Sequence, residues 1–117
     1  MAYLLAEKET RTKKIEAELK RILEKLKDTD VEKVILFVSA ANGRINSKSD
    51  IDLIIVKKTD KPFFPRLEEI YAAIEPNMAT DILVYTPEEF NNLVNTNPFI
   101  STAVKEGRLI YEARFQT

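Results

Sequence analysis

The chain contains no cysteine and no histidine. Those absences exclude thiol nucleophiles, disulfides, cysteine or histidine zinc sites and the usual imidazole general base. Any chemistry falls to carboxylates, hydroxyls, lysines or arginines. Long apolar runs are also missing. Met1 to Ala6 is too short for a signal peptide, and no later run reaches membrane-spanning length. A soluble, cytoplasmic protein is the expectation. An excess of one charge is lacking too, since 18 basic and 19 acidic side chains leave a formal net charge of −1. That balance demands neither nucleic acid nor an anionic membrane as a partner. With no obvious aromatic stacking platform either, a nucleic-acid-binding module has thin support.

What is present suffices for one domain spanning residues 1–117, since 44% of its 117 residues are hydrophobic. Residues 1–28 form an N-terminal helical segment: from about Lys8 to Lys27, Ile15, Leu19, Ile22 and Leu26, with Leu23 beside them, repeat at helical spacing. The charged remainder reads as its solvated face. Val31 to Val38 is a β-branched and aromatic run of strand length, and Asp50 to Val56 is a second strand. Between them, residues 39–49 are small, polar and turn-forming around Gly43. Phe64 to Ile74 carries a helical stripe closed by Pro76, and Thr80 to Tyr85 reads as a third strand. Thr86-Pro87-Glu88-Glu89 has the pattern of a capped helix start. Asn95 to Pro98 interrupts that helix, a short one runs on to Glu106, and Gly107 is its expected C-terminal cap. Arg108 to Tyr111 resembles a short final strand. This order predicts an α/β (α+β) fold with a mixed sheet, helices packed on one face and the other face open for a ligand.

The chemistry concentrates in Ser49-Asp50-Ile51-Asp52-Leu53, where two carboxylates stand two residues apart at the mouth of an apolar strand. Strand alternation aims them the same way, and like charges so placed are costly without a cation or another donor. A divalent metal is the simplest compensation. Asp50 alone reads as a turn or capping residue. Asp52, between Ile51 and Leu53 inside the strand, does not. Ser39 follows the first strand and Asp81 begins the third, so neighbouring strands would bring three carboxylates and a hydroxyl to one edge of the sheet. Such hard oxygen ligands suit Mg2+ or Mn2+. Tyr71, Phe90 and Tyr111 fit apolar core faces, while Arg44 and Lys48 read as solvated loop charges.

Val34 to Val56, VILFVSAANGRINSKSDIDLIIV, resembles the signature of the minimal nucleotidyltransferases of the DNA polymerase beta-like superfamily. That pattern is an apolar strand, Gly-Ser, about ten loop residues, Asp-x-Asp in a second strand, and a further acidic residue on a later one. Ser39, Asp50, Asp52 and Asp81 match it in order and spacing, and TPEEF, NPFI and EGRLIYE resemble the way such small chains end.

The resemblance implies that Asp50, Asp52 and Asp81 hold the metal ions, and that Ser39, Gly43 and Ser49 belong to the nucleotide-binding loop. It further implies transfer of a nucleoside monophosphate from a triphosphate such as ATP to a hydroxyl acceptor. Small relatives of this kind pair with helical HEPN-type proteins in toxin–antitoxin systems, so such a partner is an expectation. A homodimer through Tyr3-Leu4-Leu5 is another. The pattern is departed from at Val38, where the family has glycine, and at Ala40 and Asn42, where related chains carry arginines. Those departures support an alternative, a catalytically degenerate binding or regulatory subunit that keeps the acidic site.

Overall fold

The computed structural model describes residues 2–37 and 49–113, with side chains from Thr10 onward. The elements in order are α1 (Ala2–Leu26), β1 (Val31–Phe37), β2 (Ile51–Lys57), α2 (Phe63–Ile74), β3 (Thr80–Tyr85), α3 (Pro87–Thr96), α4 (Pro98–Glu106) and β4 (Arg108–Glu112). α1 begins earlier than its apolar stripe suggests, because Ala2 to Glu9 is rich in good helix formers and holds no breaker.

The strands form one sheet in the order β3-β2-β1-β4. β1 is antiparallel to both β2 and β4, and β2 is parallel to β3. The sheet is therefore mixed, as the sequence predicts, with α2 as the crossover between the parallel pair. β2 is central and buried at every position, which is why it reads as an almost unbroken apolar run. Its two charged residues lie near its ends. Buried Lys57 pairs with Glu69 of α2 at 3.0 Å, and Asp52 belongs to the opposite end.

Helices cover both faces of the sheet. On one, Ile22 and Leu26 of α1 and Ile70 and Ile74 of α2 pack with Val34, Leu53, Ile55, Ile82 and Val84. On the other, Phe90 of α3 and Ile100 and Ala103 of α4 pack with Ile35, Phe37, Ile54 and Val56. The expectation of helices on one face and an open opposite face is thus corrected. Alternating positions along β1 and β2 are apolar on both sides, so each face has to be covered.

Local signals end the helices where the sequence places them. Thr86 and Glu89 complete a capping box at the start of α3, and the Asn97 side chain accepts from the N–H groups of Phe99 and Ile100 to cap α4. Gly107 does close α4, with extended rather than left-handed backbone. Its lack of a side chain serves close approach, because an added Cβ would lie 2.4 Å from the Ala103 carbonyl oxygen and 2.7 Å from that of Leu36. α2 stops at Glu75, whose φ of 42° lies in the left-handed region. Arg21 of α1 reaches across and donates to the Ile74 and Glu75 carbonyls at 2.7 and 3.0 Å, so the exposed end of α2 is capped by another helix.

Candidate active site

The start of β2, the start of β3 and the end of β1 meet at one end of the sheet. The backbone register there sets Asp52 opposite Phe37 on β1 and level with Asp81 on β3. Partners in a parallel ladder share a face, so both carboxylates lie on the α3 and α4 side. Asp52 is 7% exposed. It accepts a hydrogen bond from Ser49 Oγ at 2.7 Å. Asp81 is exposed, because β3 is an edge strand. Tyr71, which packs on the opposite face as core, donates its hydroxyl to the Thr80 carbonyl at 2.7 Å. Burial raises the pKa of that phenol, and the negative charge of Asp81 adds to the shift.

Asp50 behaves differently from the expectation that it aligns with Asp52. It lies in a bend ahead of β2, with its N–H bonded to the Ala79 carbonyl at 2.8 Å, so strand alternation does not govern its direction. Its carboxylate accepts from Arg11 Nη2 of α1 at 2.7 Å. The charges expected to need compensation are therefore compensated by protein groups, a guanidinium on Asp50 and a hydroxyl on Asp52. Among the described residues no three acidic side chains stand close enough to hold a metal ion together. Asp50, Asp52 and Asp81 thus lie at one end of the sheet as hard oxygen donors, without forming a metal-holding cluster in this arrangement.

Ser49 is thus beside Asp52, whereas Ser39, Gly43, Arg44 and Lys48, together with the departures Val38, Ala40 and Asn42, lie outside the described residues. Arg11 is the residue that the sequence reading missed. The signal for it was present: Arg11 falls one helical turn before Ile15, on the stripe that continues through Leu19, Ile22 and Leu26. A separate cavity of ≈ 480 Å³, walled by Pro62, Phe63, Tyr85 and Leu93, lies at the other end of the sheet, away from the acidic residues.

Residues 7–116 match the family model described as Polymerase beta, Nucleotidyltransferase. The chain belongs to that family. No curated protein and no solved structure matches it significantly. Among the described residues no helix is long and apolar enough to cross a membrane.

Proposed function

We propose that the chain is a metal-dependent nucleotidyltransferase that moves a nucleoside monophosphate from a nucleoside triphosphate to a hydroxyl acceptor. Family membership supports the reaction class. The observation that carries the site assignment is a buried carboxylate, Asp52, at a strand start and level with a second one, Asp81. A carboxylate in that position brings no folding advantage over an apolar residue, whereas it serves cation binding well.

In this reading Asp50, Asp52 and Asp81 hold Mg2+ or Mn2+, and Ser39, Gly43 and Ser49 belong to the phosphate-binding loop. Bound there, the ion would acidify the acceptor hydroxyl and neutralise charge on the departing pyrophosphate. The acceptor oxygen would bond to the α-phosphorus as the bond to pyrophosphate breaks, and the acceptor's proton would pass to water. Ser49 keeps the Asp52 carboxylate oriented during this step. The acceptor is proposed to sit on a partner protein, of the helical HEPN type that the resemblance implies, and the protein to act in the cytoplasm.

A second reading, a regulatory subunit without catalysis, draws support from one observation: Arg11 and Ser49 already satisfy Asp50 and Asp52. Calorimetric titration with a nonhydrolysable nucleoside triphosphate, with and without Mg2+, separates the two. Magnesium-dependent binding that Asp52→Asn weakens supports the enzyme. Its absence from the unmodified chain overturns the enzyme reading in favour of the subunit.

A further inference from the structure

Among the described residues β3 stands at the end of the sheet, so one of its edges has no strand beside it. The turn that leads into β3 fixes which backbone groups face that edge. The Ala79 carbonyl accepts the N–H groups of Asp50 and Ile51 at 2.8 and 3.2 Å, and so points towards β2. Successive residues of a strand turn their backbone groups to opposite edges, so those of Thr80, Ile82 and Val84 face outward. Side chains of α2 meet them there. The Tyr71 hydroxyl donates to the Thr80 carbonyl at 2.7 Å, and the Ile82 N–H bonds to the same phenol oxygen. By donating to one residue and accepting from the next but one, the phenol takes the place of a residue in a neighbouring parallel strand. Burial raises its pKa, so the proton it donates is kept at neutral pH. Further along, Arg66 Nη1 donates to the Val84 carbonyl at 3.4 Å, its guanidinium held in place by Glu89 and by the Lys61 carbonyl.

The devices that usually protect a sheet edge are missing from β3 itself. Thr80–Tyr85 contains no proline and no lysine, and its register with β2 runs without a bulge from Ile51 and Thr80 to Val56 and Tyr85. By contrast β4, at the opposite end of the sheet, has an irregular register against β1. We infer that Tyr71 and Arg66 guard the outer edge of β3, occupying backbone groups to which a second copy of this chain would otherwise add its own β3. Symmetry and sequence suit that occupant. Antiparallel pairing about a two-fold axis at Ile82 sets Thr80 opposite Val84 and Asp81 opposite Leu83, so outward backbone groups meet and like carboxylates are not opposed. The two sheets would then run on as one. Two side chains of α2 therefore keep the chain from pairing with itself at this edge.

Sedimentation velocity and residue-resolved amide exchange by NMR, on the full-length unmodified chain and on Tyr71→Phe, test the guard from about 10 μM to about 1 mM protein. Tyr71→Phe keeps the ring in the core and removes only the hydroxyl. The unmodified chain should stay monomeric throughout, with the Ile82 amide exchanging about tenfold more slowly than in dilute Tyr71→Phe. As its concentration rises, Tyr71→Phe should dimerise, and the Ile82 amide should regain protection in step with the dimer. A tyrosine that merely fills the core would change stability without linking exchange at Ile82 to association. Tyr71→Phe that remains monomeric up to the highest concentration, or that associates while Ile82 stays unprotected, overturns the inference. So does unprotected exchange of Ile82 in the unmodified chain, a result that does not depend on whether the variant folds.

Discussion

Glu18 of α1 accepts the backbone N–H of Asn77 at 2.6 Å, tying the first helix to the turn that leads into β3 and thus to the strand that carries Asp81. The same carboxylate is gripped by Arg21, whose Nε and Nη2 donate at 2.8 and 3.0 Å. The Arg21 hydrogen bonds, reinforced by the Asn77 N–H and opposed by burial, lower the Glu18 pKa to about 2. A carboxyl depressed in the folded state stabilises the fold fully above its unfolded value of about 4.5, and that contribution fades as pH falls towards 2. The shift corresponds to about 3 kcal/mol, reduced to about 2 kcal/mol because Arg21 is partly solvated. Glu18→Gln should therefore lose about 2 kcal/mol at pH 7 and little at pH 2. Urea unfolding at both values checks this, and an equal loss at each pH would show that the charge is not responsible.

Arg66 joins α2 to α3. Its side chain is 9% exposed and forks onto Glu89 at 2.7 and 3.2 Å, while its Nε donates to the Lys61 carbonyl at 2.6 Å. The Arg66 hydrogen bonds hold the Glu89 carboxyl below the usual range, and Glu89 also accepts from the Thr86 N–H. Arg66→Ala should cost about 2–3 kcal/mol, between the values for exposed and fully buried pairs, because Glu89 keeps access to water. In a thermal-unfolding double-mutant cycle with Glu89→Ala, a coupling of about 1 kcal/mol is expected. Additive losses would reduce the fork to two independent contacts.

Gly107→Ala tests the junction between α4 and β4. The new Cβ would meet two backbone carbonyl oxygens, and backbone cannot turn aside as a flexible side chain can. A loss of about 2–3 kcal/mol is expected, read as a lowered urea midpoint. Full stability would mean that the two segments separate easily.

Asp52→Asn separates folding from binding. The amide oxygen can still accept from Ser49 Oγ, so stability should change by less than about 1 kcal/mol. Magnesium-dependent triphosphate binding should fall by at least about tenfold, since one proposed metal ligand loses its charge. Loss of stability with binding intact would make Asp52 a structural residue.

Much of the architecture was legible because its determinants are contiguous. The α1 stripe, the β1 and β2 runs and Thr80–Tyr85 declare themselves by periodicity, and Thr86-Pro87-Glu88-Glu89 folds into the capping box that its residue types specify. The candidate site was legible only in part. Asp52 stands out as a charge inside an apolar strand, yet nothing local reveals that Arg11 faces Asp50 or that Asp50 leaves the strand at a bend. Arg66 and Glu18 were equally hidden, since their partners lie 23 and 59 residues away.

By itself, then, the chain's sequence determined the elements, their order and the acidic residues worth watching, because helix periodicity, strand runs and caps are settled within a few neighbouring residues. Only the tertiary structure decided that helices cover both faces, that Asp52 and Asp81 share a rung, and that a guanidinium from α1 occupies Asp50. Those outcomes depend on register and packing between distant segments, where the free energy of burying two apolar faces and pairing each buried charge selects one arrangement among many that the local pattern allows.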